Sequence, residues 1–306
     1  MSASPSLLPL PVIVSRLRAA GCVFAEDEAR LLLDAARTPA DLTAMVDRRV
    51  VGLPLEHVVG WAEFRGLRIA VEPGVFVPRR RTEFLVGQAA ALARPRSVVV
   101  DLCCGSGAVG AALVAALDRI ELHAADIDPV AVRCARRNIG AGGRVYEGDL
   151  YQPLPTTLRG RVDVLVANVP YVPTGQIDLL PAEARLYEPH MALDGGADGL
   201  DVLRRVSADA PRWLAPGGHL LVETSRYQAS RAVGIVAGDG LVPQVVRSEE
   251  PQATVVVGTR PAVAADWRTE SPDPRRNPAV GGGTGTVFGG APVDSDRLWA
   301  WDAGSP

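Results

Sequence analysis

Along the chain the rhythm of apolar and polar positions changes from helical to strand-like and back. Near the amino end Val12, Leu17 and Ala20 recur at roughly helical spacing, and Gly21 supplies a stop. A second helix is expected from about Glu26, with Ala29, Leu32 and Leu33 on one side. Thr38-Pro39 breaks that pattern, and Leu42, Met45 and Val46 predict another short helix. Between residues 61 and 71, aromatic and branched residues flank Arg65-Gly66, the pattern of a β-hairpin; Pro73-Gly74 is a second turn. Thr82 is the expected N-cap of a helix through Phe84, Leu85 and Val86.

Buried strands and helices then alternate. Val98, Val99, Val100 and Leu102 predict a strand covered on both faces, Gly105-Ser106-Gly107 a tight turn, and the small apolar residues after it a helix. That is the opening unit of a doubly wound α/β domain. Further strands are expected over 120–125, 144–146, 161–167 and 214–222, with 241–246 and 254–257 as a closing hairpin. Asp128-Pro129 opens a helix whose polar stretch, 133–138, is expected on the outer side. Past Arg260, Pro272, Pro274, Gly281, Gly282 and Gly283 mark a low-complexity tail that is expected to be disordered.

Composition narrows the class. A chain of 306 residues holds one large core or two smaller ones. Its net charge of -3, with acids and bases mixed, is unlike a bulk nucleic-acid binder. No apolar run reaches membrane-spanning length, and no basic segment leads into an apolar one. The expectation is a cytoplasmic monomer with no membrane and no direct DNA contact. Cys22, Cys103, Cys104 and Cys134 show no C-x-x-C pairing, so neither a zinc site nor a disulfide framework is expected.

Three acids end three of the predicted strands. Asp101 precedes the glycine turn, where a carboxylate meets a pyrophosphate badly but suits the ammonium of S-adenosylmethionine. A solvated acid beside a structural turn has the same local sequence. No Lys followed by Ser or Thr comes after Gly107, which excludes a Walker loop, while Gly105, Gly107 and Gly110 fit dinucleotide spacing, a weak pattern alone. Asp126, roughly twenty residues on, is placed for ribose hydroxyls, and Asp149 with Leu150 for an adenine amino group beside an apolar wall.

The strand over 161–167 ends in Asn168-Val169-Pro170-Tyr171. The Asn168 amide oxygen and the Val169 carbonyl can both accept from a substrate NH2, turning its lone pair toward a bound methyl donor. Tyr171 can cover the flat face of the acceptor, and Pro170 stiffens the turn. Without a donor site upstream, the same residues read as an ordinary turn. Arg79, Arg80 and Arg81 read equally as ligand contacts or as a solvated face, and His57 as structural.

In chain order, the linker GLPLEHVVGWAEFRGLRIAVEPGVFVPRRRTE, the loop DLCCGSGAVG, the segment AADIDPVAVRCARRN, the Asn-Val-Pro-Tyr turn and EPHMALDGGADGLDVLRRV resemble the HemK/PrmC family of protein N5-glutamine methyltransferases. The resemblance covers about residues 12–259. It implies a helical substrate-recognition domain over 1–50, a β-hairpin linker over 51–82 and a seven-stranded Rossmann-like methyltransferase domain over 83–260, before a tail over 261–306. It implies S-adenosyl-L-methionine as donor, held by Asp101, Cys103, Gly105, Gly107, Asp126, Ile127, Asp149, Leu150 and Asn168, with no metal. Asn168, Val169, Pro170 and Tyr171 are the implied catalytic turn, and a peptide chain release factor the implied partner, modified on the glutamine of its Gly-Gly-Gln motif.

Three departures stand out. Val169 replaces a proline, Cys103 replaces a glycine beside Cys104 where threonine is usual, and Arg80-Arg81 replace a proline and an acid. Cys103 is expected to pack beneath the methionine end of the pocket. An N6-adenine methyltransferase, whose similar turn grips a base, is the alternative reading, as is a catalytically silent homologue that binds the donor.

Overall fold

The computed structural model describes residues 8–262; the tail expected from residue 261 falls almost wholly outside them. Among the described residues four helices open the chain: α1 (Leu10–Ala19), α2 (Ala25–Ala35), α3 (Pro39–Val50) and α4 (Leu55–Val59). Ile13, Leu17, Ala29, Leu32, Leu42 and Val46 turn inward to form their shared core. The Thr38 hydroxyl accepts from the Asp41 N–H at 3.1 Å and caps α3, which runs longer than its apolar spacing predicts. Helix α4 was not expected: it is a single short turn carrying Glu56 and His57, too brief for a periodic signal.

The hairpin follows as β1 (Trp61–Phe64) and β2 (Leu67–Ala70), closed by Arg65 and Gly66, both at positive φ. Two-residue turns of that hand match the twist of the strands they join.

Next come α5 (Thr82–Leu92), β3 (Val98–Leu102), α6 (Ala108–Ala116), β4 (Glu121–Asp126), α7 (Pro129–Ile139) and β5 (Gly143–Glu147). The chain then crosses to β6 (Val162–Ala167), α8 (Ala182–Tyr187), α9 (Asp201–Trp213), β7 (Leu214–Glu223), α10 (Ala229–Gly238), β8 (Val242–Ser248) and β9 (Ala253–Thr259). These strands form one seven-stranded sheet in the order β5-β4-β3-β6-β7-β9-β8. All of it is parallel except β9, which runs against both β7 and β8.

Strand β3 is buried throughout, as its sequence predicts: Val98, Val100 and Leu102 pack into the core on one side of the sheet and Val99 into that on the other. Burial of each such valine contributes about 1.5–3 kcal/mol. From β3 the chain builds outward to β4 and β5, then returns to lay β6 on the opposite side. That reversal opens a crevice beyond the carboxyl ends of β3 and β6, where open α/β sheets take their ligands.

Two cross-links join the helical segment, the hairpin and the sheet. Arg49, 7% exposed, donates to Glu28 through Nε (2.6 Å) and Nη2 (3.1 Å), to the Leu53 carbonyl at 3.0 Å, and to Glu183 on α8. Asn138, expected on the outer side of α7, points inward instead. Its Oδ1 accepts from the Ala70 N–H at 2.8 Å, and its Nδ2 donates to the carbonyls of Ala70 (2.9 Å) and Ser106 (2.8 Å). Hairpin, helix and glycine loop therefore share one amide.

Candidate active site

After Leu102 the chain enters the left-handed region at Cys103 (φ 54), Gly105 (φ 54) and Gly107 (φ 78). The two glycines have different reasons to be there. A Cβ on Gly107 would lie 2.9 Å from Ala135 Cα, so this glycine lets α6 sit against α7. A Cβ on Gly105 would meet nothing within 4 Å, leaving that side of the loop open. Cys103 adopts a conformation that costs a residue with a Cβ about 1–2 kcal/mol, which explains why the family it resembles uses glycine. Its side chain packs against the cluster holding Leu150 and Tyr151, and burial pushes its thiol pKa up. A reactive thiolate is therefore not on offer.

Asp101 is turned inward. It is 2% exposed, and its Oδ2 accepts from the Gly110 N–H at 3.0 Å, fastening the first turn of α6 to β3. A Cβ on Gly110 would approach that oxygen to 3.2 Å. Burial raises the Asp101 pKa to about 7, against the pull of the Gly110 N–H. Through its Oδ2 Asp101 braces α6 against β3.

Asp126 ends β4 and orders the loop. Its Oδ2 accepts from the Gly105 N–H at 2.8 Å and its Oδ1 from the Asp128 N–H at 2.9 Å. Burial pushes its pKa up, opposed by those backbone donors. A carboxylate has about four acceptor positions, so lone pairs remain for a ligand. Ile127 beside it is 53% exposed. Past β5, Asp149 is held by Arg205 of α9 at 2.5 Å, and Leu150 is buried at φ 50. Nothing local in the sequence points to Arg205, which lies on a different helix.

Asn168 follows β6 directly, and its Nδ2 lies 3.5 Å from Thr82 Oγ1. Thr82 is not the N-cap: Arg81 occupies that position without a side-chain cap bond, and Thr82, 2% exposed, is the first residue of α5. The Val169 side chain is 3% exposed and belongs to the same apolar cluster as Leu102 and Leu200, so a valine fills the place of a proline by packing. Tyr171 places its hydroxyl 2.7 Å from Arg81 Nη2 and 3.3 Å from Glu223 Oε1. Arg81 Nε donates to that same Glu223 oxygen at 3.1 Å.

Two members of the arginine run, Arg79 and Arg81, thus turn to buried acids, while Arg80 is exposed. Arg79 bonds buried Glu188 at 2.5 Å, and the other Glu188 oxygen accepts from the Val77 N–H at 3.1 Å. Behind the turn, Gln228 Nε2 donates to the carbonyls of Tyr171 (2.9 Å) and Asp198 (3.0 Å). A Cβ on Gly199 would lie 2.3 Å from the Tyr171 carbonyl oxygen. His57 is structural, with Nε2 2.8 Å from the Val75 carbonyl. Among the described residues no group of three His, Cys, Asp or Glu is placed for a metal, and no helix is long and apolar enough to cross a membrane.

An acid with spare lone pairs, an exposed isoleucine beside it and an acid–leucine pair on the next strand suit the hydroxyls, apolar face and amino group of a nucleoside. With the sheet order and the open glycine loop, they define a class I, S-adenosylmethionine-dependent methyltransferase. The comparisons agree. The family model described as "Methyltransferase small domain" matches residues 66–194. The release factor glutamine methyltransferase of Geobacter sulfurreducens is 36% identical over 233 residues, 74% of this chain and 81% of that one. Its namesake in Streptomyces coelicolor is 42% identical over 193 residues, 61% and 68% of the two chains. The 4-amino-L-phenylalanine/4-methylamino-L-phenylalanine methyltransferase of Streptomyces pristinaespiralis is 36% identical over 203 residues, 64% and 68%. A solved methyltransferase from Pyrococcus furiosus shares the fold, with a TM-score of 0.50 at 16% identity over 64% of this chain and 90% of that one. The chain belongs to the release factor glutamine methyltransferase family.

Proposed function

We propose that this protein methylates the side-chain amide nitrogen of a glutamine, and that the glutamine is that of the Gly-Gly-Gln motif of a peptide chain release factor. The names of its relatives support this reading. The observation that carries it is the turn after β6, where an amide side chain and the next carbonyl offer two acceptors for one NH2, beside the glycine loop.

S-adenosylmethionine, when bound, supplies a methyl group made electrophilic by the sulfonium. Asp126, Ile127, Asp149 and Leu150 would hold its nucleoside, and the loop from Cys103 to Gly107 its methionine end. Asn168 and the Val169 carbonyl would accept from the acceptor NH2, which orients the nitrogen lone pair; Tyr171 would close over the amide plane. Orientation of this kind supplies up to roughly 7–11 kcal/mol of a barrier. The helices from α1 to α4, with a core of their own, are the proposed docking element for the protein substrate.

The Streptomyces pristinaespiralis relative favours a second reading, in which the same two acceptors hold an aromatic amine. One experiment separates them. The purified protein is given radiolabelled S-adenosylmethionine with a release factor from the same cell or with 4-aminophenylalanine, as wild type and as Asn168→Ala. Label on the Gly-Gly-Gln glutamine, lost in the variant, is the expected result. Label on the small amine alone would replace the release factor as acceptor, and no label on either would overturn both readings.

A further inference from the structure

The run Arg79-Arg80-Arg81 leads into α5, and its last two neighbours, Arg81 and Thr82, touch opposite ends of the acceptor turn. Thr82 faces Asn168, while Arg81 grips the Tyr171 hydroxyl. On the far side stands Glu223, the last residue of β7. The parallel register pairs Ala167 with Val222, so Asn168 and Glu223 come next on adjacent strands, level with one another.

Glu223 is 2% exposed, and its Oε2 has no hydrogen-bond partner among the described residues. An ionised carboxylate buried with one oxygen unserved is a poor stabilising device, because its desolvation cost is only partly offset by its partner. Its single bonded oxygen, Oε1, does two things at once: it accepts from Arg81 Nε at 3.1 Å and lies 3.3 Å from the Tyr171 hydroxyl. Arg81 also approaches the Tyr171 ring, its guanidinium carbon 5.9 Å from the centroid.

We propose that the pair of part-buried Arg81 and buried Glu223 is a positioning device for Tyr171, holding the phenol from both sides so that its ring stays over the acceptor beside Asn168. This inference rests on the functional reading above for the acceptor it concerns, and deepens it. Neither charged residue touches the reacting atoms; both act through the tyrosine. Three groups in a closed triangle constrain the ring more tightly than one hydrogen bond does, because the Tyr171 hydroxyl cannot leave one partner without straining the other. The arginine stands where the family has an acid, so in this chain a cation meets Glu223 at that position.

The test uses the full chain labelled with fluorotyrosine, with Tyr171→Phe assigning the Tyr171 resonance. Arg81→Gln and Glu223→Gln are each expected to shift or broaden that resonance. Each is also expected to lower kcat on a release factor by roughly 10- to 100-fold, with the KM for S-adenosylmethionine within about twofold. Arg81→Lys should restore part of kcat. Added to Tyr171→Phe, Arg81→Gln should cost nothing further, since its effect runs through the missing hydroxyl. Should a single variant fold poorly, Arg81→Gln/Glu223→Gln leaves no lone buried charge and is read in the same two ways. An unchanged fluorine resonance, or losses that multiply in the Tyr171→Phe background, would overturn the proposal. If the wild type methylates neither acceptor, the functional reading falls, while the fluorine signal still decides the positioning role.

Discussion

Asn138 bonds the backbone of Ala70 in both directions, accepting from its N–H at 2.8 Å and donating to its carbonyl at 2.9 Å, as a neighbouring strand residue would. The same amide nitrogen reaches the Ser106 carbonyl at 2.8 Å, within the glycine loop. Asn138→Leu would take this partner from the Ala70 N–H and the Ser106 carbonyl, at about 1–3 kcal/mol for each one that stays dry, while the Ala70 carbonyl keeps the Cys134 thiol at 3.0 Å. A loss of about 2–4 kcal/mol in urea unfolding is expected. Weaker binding of S-adenosylmethionine by titration calorimetry should accompany it, because the loop loses its tether. Stability without any change in binding would place Asn138 in the hairpin alone.

The two loop glycines should separate folding from binding. Gly107→Ala drives a Cβ to 2.9 Å from Ala135 Cα at positive φ, so overpacking and backbone strain add, by about 1–3 and 1–2 kcal/mol. Gly105→Ala meets open space and bears only the conformational cost of about 1–2 kcal/mol. Its new methyl group instead intrudes where the donor is proposed to lie. Melting curves and calorimetry on both variants check the contrast: a larger fall in Tm for Gly107→Ala, a larger fall in donor affinity for Gly105→Ala.

Asp101 gives a pH dependence of defined sign. Burial lifts its pKa to about 7 in the folded protein, above the ordinary carboxylate value of about 4. Below pH about 4 both folded and unfolded chains hold the proton and there is no penalty. As pH rises toward 7 the unfolded chain ionises first, so stability falls, levelling off once the folded protein has ionised too. The whole effect is at most ~4 kcal/mol. Denaturant unfolding from pH 4 to 8 should show wild type losing ground to Asp101→Asn over that window and running parallel to it above. A gap that does not change with pH would mean the carboxyl is not held protonated.

Arg49 joins acids from two separate parts of the chain, Glu28 and Glu183. Arg49→Met removes the cation and leaves a nearly buried Glu28 uncompensated, a loss of about 3–5 kcal/mol. Replacing Glu28 as well, in Arg49→Met/Glu28→Gln, should recover much of it. Guanidinium chloride midpoints for the three proteins decide whether the charge or the packing of the arginine stem matters more.

What could be read from sequence was whatever the chain writes locally. Strand β3 announces itself because its residues are adjacent and all buried, and the hairpin because Arg65-Gly66 interrupts branched and aromatic residues. The acids at the ends of β3, β4 and β5 were visible for the same reason. Partnerships across distance were not: Arg81 and Glu223 lie 142 residues apart and Arg49 and Glu183 lie 134 apart, beyond any periodic pattern. Thr82 shows how a local rule loses. A hydroxyl near a helix start favours the cap position, but here a tertiary neighbour, Asn168, faces that hydroxyl and the helix begins one residue earlier, with Arg81 at the cap. The bond from Gly110 to Asp101 was equally illegible, since it depends on how α6 packs on β3.

The clasp behind the acceptor turn bears on how such a protein can diverge. Gly195 and Gly199 each lack room for a Cβ beside the turn's own carbonyls, and Gln228 joins Tyr171 to Asp198. Substitutions on that side damage the turn itself, so that side is closed to evolutionary experiment. Room to explore lies away from that wall, at the entrance to α5 and in the opening helices. Arg80 and Arg81, two of the chain's departures from its family's pattern, stand at that entrance. A lineage that acquires a new acceptor would therefore rewrite the approach to Asn168 and inherit the wall behind it unchanged.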